Sequence, residues 1–147
     1  DRTNETYKIK GYKEAMRQCN LKPHVIYSEG LDREDALEVM EDIVDDIKDQ
    51  KYTALFCTQD ILAIHLMNAL FDQGIRVPED ISICGFGGTV LSEIVRPTLT
   101  TVKEPFYDIG AVAIRKLLKS VDSKEELKRD TVFLPVEILK RDSVKSL

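Results

Sequence analysis

Two apolar runs of strand length, Thr53 to Thr58 (Thr-Ala-Leu-Phe-Cys-Thr) and Ile81 to Phe86 (Ile-Ser-Ile-Cys-Gly-Phe), limit what this chain can become. Neither alternates strictly between apolar and polar residues, so neither suits a sheet with one wet face; each asks for cover on both sides. Amphipathic helices flank them. Tyr7, Ile9, Tyr12, Ala15, Met16 and Cys19 share one face of a helix that starts near Thr3 or Asn4 and stops before Leu21-Lys22-Pro23. Leu37, Met40, Val44 and Ile47 line up in a second helix, capped by Asp32, whose other face carries Glu38, Glu41, Asp45, Lys48 and Asp49. A third helix runs from Ile61 to Gln73, with Asp60 as its N-cap, Gly74 as its stop and Pro78 barring continuation. His24 to Ser28 adds a short β-prone run closed by Glu29-Gly30.

The resulting order, α-β-α-β-α-β with short connections, belongs to the α/β class: a three-layer αβα arrangement around a parallel sheet. Ligands of such sheets lie outside the carboxyl ends of the strands, which directs attention to the loops after Ser28, Thr58 and Phe86. Beyond Pro97 the pattern changes. Leu99 to Val102 is a short strand, and Pro105 opens a helix whose Ile109, Val112, Ala113, Leu117 and Val121 share a face. Asp122 to Asp130 reads as a charged surface loop, and Thr131 to Lys140 as a final strand broken or edged by Pro135.

Composition narrows the function classes. The 147 residues carry a net charge of −5, which argues against this chain itself gripping a nucleic-acid backbone. No run approaches the roughly 20 apolar residues that cross a bilayer, and the charged amino-terminal residues show no secretory pattern. Cys19, Cys57 and Cys84 are widely spaced, with only His24 and His65 as nitrogen partners, so no metal site is expected and the thiols read as small hydrophobes in a reducing, cytoplasmic setting. The chain opens on Asp1 with no initiating methionine and a helix about to begin, the look of a fragment.

Motifs for catalysis are lacking. Gly85-Phe86-Gly87-Gly88 follows a strand, where glycines let a ligand approach the backbone, but the third glycine of a dinucleotide fingerprint is Val90. There is no phosphate loop and no nucleophile elbow, and the two histidines sit as packing or surface residues. No cofactor is expected. Gln59-Asp60 is more informative because it ends a buried strand: Gln59 is a candidate ligand contact, and Asp60 a helix cap with a ligand contact as the alternative.

Three segments taken together, Thr53 to His65, Gly74 to Phe86 and Arg96 to Val102, closely resemble the carboxyl-terminal half of LacI/GalR-family transcriptional repressors. Gly11-Tyr12 near the start and Leu-Pro-Val-Glu-Ile-Leu-Lys-Arg (134–141) near the end extend the match over nearly the whole chain. Thr89 to Ala113 is most similar to the catabolite-control and sucrose-repressor branches. The resemblance implies half of a periplasmic-binding-protein-like type I effector domain, with a sugar or sugar phosphate bound between two subdomains. Residues 1–98 would form the carboxyl-terminal subdomain, 99–121 a strand and helix of the amino-terminal one, and 122–147 a return strand and tail. Operator DNA would be bound by a helix-turn-helix outside this chain, in a homodimer.

The family's effector-contacting arginine falls on Lys8, its Asn-Asp pair on Gln59-Asp60, and its stacking aromatic near Leu31. Its Gly-aromatic-Asp motif becomes Gly85-Phe86-Gly87, so the aromatic is kept and the carboxylate is lost. The implied effector set is therefore Lys8, Leu31, Gln59, Asp60, Phe86 and Gly87. Ile64, Leu91 and Val95 are the implied anchors of the dimer interface, with ordinary core packing as the alternative for each. Competing readings are a sugar-binding transport protein of the same fold, a doubly wound enzyme, or an effector domain answering to a protein corepressor.

Overall fold

The structure, a computed structural model, describes residues 2–27, 30–123 and 131–146. Among the described residues five helices and four strands follow one another as α1 (Arg2–Gln18), α2 (Arg33–Lys48), β1 (Ala54–Phe56), α3 (Asp60–Asp72), β2 (Ser82–Gly87), α4 (Leu91–Ile94), β3 (Thr100–Lys103), α5 (Phe106–Ser123) and β4 (Glu137–Leu139). One sheet holds the strands in the order β1-β2-β3-β4. β1, β2 and β3 are parallel, and β4 returns antiparallel to β3 with Leu139 opposite Thr101. The α/β expectation is met with a parallel-dominated sheet.

Local chemistry explains the helix starts. The Asp32 carboxylate accepts from the backbone N–H groups of Glu34 (2.9 Å) and Asp35 (3.1 Å), and the Asp35 carboxylate accepts from the Asp32 N–H (2.8 Å). That reciprocal capping box fixes the first turn of α2, as the sequence predicts. The turn from α3 into β2 is held by a forked pair: Arg76 donates from Nε (3.0 Å), Nη2 (2.8 Å) and its backbone N–H (2.9 Å) to Asp80. The Arg76 side-chain bonds hold the Asp80 carboxyl well below its usual range, at about 2.

The core lies where α2 and α3 meet each other and the sheet. Ala36, Met40, Ile43 and Ile47 of α2 face Ala63, Leu66, Met67 and Leu70 of α3, with Ile81, Ile83 and Leu99 from the sheet side. Cys57 is buried with them, and that burial pushes its thiol up to about 12, which makes it the inert hydrophobe its apolar run predicts.

Two expectations are corrected. Residues 24–27 are not a strand, and Ser28 lies outside the described residues. The His24 N–H donates to the Tyr12 hydroxyl (3.1 Å), while its ring stacks on Tyr52 and its Nδ1 meets the Tyr52 hydroxyl, so side-chain partners replace a ladder with β1. The final strand is three residues long rather than ten, because Pro135 has no N–H to offer and pairing with β3 begins only at Glu137. β3, which the resemblance assigns to the other subdomain together with α5, pairs with β2 from Cys84↔Thr100 to Gly87↔Lys103 and so shares its sheet. Finally, α4 is a helical turn the sequence reading misses. Residues 124–130 of the expected charged loop lie outside the described residues.

The segment after β4 closes the sheet. Ser143 is fully buried: its hydroxyl donates to the Ile83 carbonyl (2.6 Å) and accepts from the Thr100 N–H (2.8 Å), and its carbonyl accepts from the Ile83 N–H (2.8 Å). It occupies the place beside β2 that β3 has not yet reached. α5, by contrast, leaves much of its predicted apolar face open, with Ile109, Leu117 and Val121 all exposed.

Two outcomes follow from this packing. Ile83→Ala, at a position with no exposed surface, lowers the unfolding free energy by about 3 kcal/mol in urea titration with an unchanged m-value. Asp80→Asn loses the forked pair. Because the folded carboxyl titrates below its unfolded value, the stability gap between parent and variant is complete above about pH 4 and closes as pH falls through about 2, measured by urea midpoints across that range.

Candidate functional site

The carboxyl ends of the parallel strands β1 and β2 lie side by side, and α1 delivers a cation to them. Lys8, from the middle of α1, donates from Nζ to the Thr58 carbonyl just past β1 (3.0 Å). The same ammonium sits 3.9 Å from the centroid of the Phe86 ring on β2, in cation–π contact. Phe86 in turn meets Phe56 of β1 edge to face, with centroids 6.4 Å apart. Residues from three parts of the sequence thus converge at the edge where this class of sheet binds ligands.

Gln59 follows Thr58 directly, is half-buried, and is the N-cap residue of α3, yet its side chain makes no cap bond. Its amide is therefore at the edge without a capping role. Asp60 is corrected as a cap. It is the first residue of α3 and only 1% exposed, and its carboxylate turns inward to accept three hydrogen bonds: from the Thr89 N–H (2.7 Å), the Thr89 hydroxyl (3.0 Å) and the Thr101 hydroxyl (2.5 Å). The structure does not bring it to the open edge with Lys8 and Gln59.

The glycines at the end of β2 and just past it also serve the fold rather than an approaching ligand. A Cβ on Gly85 would stand 2.5 Å from Asp60 Oδ1 and 2.9 Å from a Leu99 methyl, so the space belongs to the chain itself. Gly87 has φ +134°, a conformation side chains avoid, and Gly88, at φ +69°, has the Lys103 Cα 2.8 Å from where its Cβ would be. Gly87 stands at the edge next to Phe86 but brings no acceptor.

Leu31 lies beside this edge: with Ile9, Tyr12, Tyr52, Phe56, Thr58 and Leu62 it lines a cavity of about 190 Å³ along the open side of β1. The volume falls below the roughly 300–1,000 Å³ of ordinary ligand pockets, and its walls are mainly apolar, a poor match for a polyhydroxylated molecule. Of the interface candidates, Leu91 is 46% exposed, whereas Ile64 and Val95 pack in part against the core. Val90 and Ile94, exposed beside Leu91, are the surface residues that sequence reasoning misses. Their exposure depends on the α4 turn, for which no periodic signal exists in so short a stretch.

The Periplasmic binding protein-like domain family matches residues 1–144. The chain belongs to that family. It is 38% identical to catabolite control protein A of Priestia megaterium over 144 residues, covering 97% of this chain and 42% of that protein. The solved transcription regulator CcpA of Lactococcus lactis superposes with a TM-score of 0.80 at 30% identity, over 96% of this chain and 51% of that one. A LacI family transcriptional regulator from Enterococcus faecium, solved with bound ribose, gives a TM-score of 0.76 at 26% identity over 95% of this chain and 51% of that one. The LacI-type resemblance read from the sequence stands, and the chain spans about half the length of the relatives it matches.

Removing the inward carboxylate tests its assigned place. Asp60→Ala leaves the Thr89 amide and the Thr101 hydroxyl without their acceptor in a closed interior, and lowers the unfolding free energy by about 3 kcal/mol in chemical denaturation. A change below about 0.5 kcal/mol would show that water replaces the carboxylate freely.

Proposed function

We propose that this chain is part of the effector-binding and dimerisation region of a LacI-type transcriptional repressor, and that it responds to a sugar or sugar phosphate at the edge formed by Lys8, Gln59 and Phe86. The observation that carries the reading is the placement of the Lys8 ammonium over Phe86 and against the Thr58 carbonyl. An ammonium has three donors, and the Thr58 carbonyl uses one. The remaining donors suit the hydroxyls of a sugar or the oxygens of a phosphate, and Phe86 offers an aromatic surface beside them. The bound ribose of the Enterococcus faecium relative supports a sugar as the ligand class.

The loss of a carboxylate at Gly87 shifts the preference further. A neutral sugar is commonly gripped by acceptors for its hydroxyl protons, and at this edge a cation stands where an acceptor is missing. A phosphorylated sugar answers that balance better than a free one, since a phosphate brings its own acceptors and its own negative charge. Gln59 supplies both an amide donor and an amide acceptor for the ring hydroxyls.

In this reading regulation is a change of state rather than a reaction. Effector binding favours one closure of the two subdomains, and the difference in affinity between closures is what reaches the DNA-binding heads. α5, with its exposed apolar face, contributes to the second subdomain, as the resemblance implies. The helix-turn-helix lies outside this chain, the acidic surface here stays clear of the operator, and the repressor works in the cytoplasm where the chromosome is. Two copies pair through the α4 turn, with Leu91 open to solvent and Ile64 and Val95 behind it.

Calorimetric titration with ribose and ribose 5-phosphate tests the site. The parent binds the phosphate more tightly than the free sugar; Lys8→Met removes that preference, and Gln59→Ala weakens both ligands by about tenfold. Parent-like affinities in both variants would overturn the assignment of these residues. A parent that binds neither probe would turn attention to a protein corepressor.

A further inference from the structure

α1 carries the cation of the proposed binding edge, yet the core does not hold it. None of its described side chains is buried, and only Lys8, Ile9, Tyr12 and Met16 are even partly covered. Among the described residues, the apolar cluster that joins α2, α3 and the sheet contains none from α1. A lysine has a flexible four-carbon stem, so the place of its ammonium follows from where its helix is held. Point contacts must hold this one.

Tyr12 is the neighbour of Lys8 one turn along, on the same face of α1. Its hydroxyl accepts from the His24 N–H (3.1 Å). The His24 ring stacks on Tyr52 with centroids 5.4 Å apart, and its Nδ1 meets the Tyr52 hydroxyl. Tyr52 stands just before β1 and packs against the core. Lys8, for its part, reaches the Thr58 carbonyl just beyond the other end of β1. α1 is therefore tied to both ends of one strand, directly through Lys8 and by way of His24 through Tyr12. The covalent link from α1 to His24 runs through the turn at Asn20, where φ is +56°. The Tyr12 bond spans that turn and keeps the helix from pivoting about it. Two tie points fix the direction of a helix as well as its position, whereas the lysine alone would leave it free to swing.

We propose that Tyr12 is the positioning residue of the binding edge: by way of His24 and Tyr52 its hydroxyl holds α1 so that Lys8 presents its remaining donors beside Phe86, and it thereby sets how tightly a phosphate-bearing effector is held. The inference rests on the effector reading above and adds the group that aims its cation. Tyr12 itself touches no ligand in this account. Without its hydroxyl the ring stays in place, but the ammonium spends part of its time away from Phe86 and the Thr58 carbonyl, and binding must then order what the parent holds in advance.

Calorimetric titration of the intact protein with ribose 5-phosphate and ribose, run as a double-mutant cycle, tests the assignment. Tyr12→Phe, which removes one oxygen and keeps the ring, is expected to weaken ribose 5-phosphate by about fivefold and ribose by less than about twofold. In the Lys8→Met background the same substitution changes neither affinity, because no ammonium is left to aim. Tyr52→Phe, one step further along the chain of contacts, gives the same pattern with a smaller loss. Parental affinity in Tyr12→Phe would overturn the inference alone. So would a loss that persists in Lys8→Met, or one that falls equally on both ligands, since either would leave the hydroxyl a structural role without a part in aiming the cation. A parent that binds neither ligand, or a Lys8→Met variant that keeps the parental preference for the phosphate, would overturn the effector reading, and this inference with it.

Discussion

The Asp60 carboxylate is the point on which much of this half-domain turns. It is buried at the start of α3, and three donors from two other segments converge on it. A carboxylate in such a place is tolerable only when its lone pairs are answered, and answering them fixes both Thr89, before α4, and Thr101, within β3. Gly85 has no side chain because the carboxylate occupies that space, and Gly87 lies only slightly farther off. Gly85 is therefore the complement of Asp60, whereas Gly88, just past β2, gives room to Lys103.

This constraint ties the candidate binding edge to the candidate docking face. Thr58, Gln59 and Asp60 are consecutive: the first accepts from Lys8, the second stands at the edge, and the third grips Thr89 at the entrance to α4. A ligand that draws on Lys8 or Gln59 acts on the same short stretch of backbone that anchors the apolar turn. The proposed binding edge and the α4 turn thus share one stretch of three residues.

What was legible in the sequence follows from range. Helix faces, the Asp32 cap and the two buried strands are written in periodicities and neighbours within a few residues, and the structure has them within a residue or two of their predicted bounds. Gln59 and Phe86 at the strand ends were reachable by the same logic plus the rule that ligands gather there, and Lys8 by resemblance. The inward turn of Asp60, the bond from Arg141 to Ser92 and the existence of α4 were not, since their partners lie 29, 41 or 49 residues away. Asp60 illustrates the limit: a carboxylate before an apolar helix looks like a cap, and only the approach of Thr89 and Thr101 gives it another use. The supposed strand at 24–28 fails for the same reason, because His24 is satisfied by Tyr12 and Tyr52, 12 and 28 residues away.

The closure of β2 by Ser143 has a consequence for how the chain is made. The Ile83 amide and carbonyl wait for a residue 60 positions downstream, and the parallel neighbour β3 cannot serve them because its pairing starts at Cys84. During synthesis, the helices and the first parallel pair can assemble while the ribosome is still adding α5, but one end of the central strand stays unsealed until residue 143 has cleared the exit tunnel. For that interval the nascent protein carries an open backbone edge next to its most buried side chains, the kind of surface chaperones recognise.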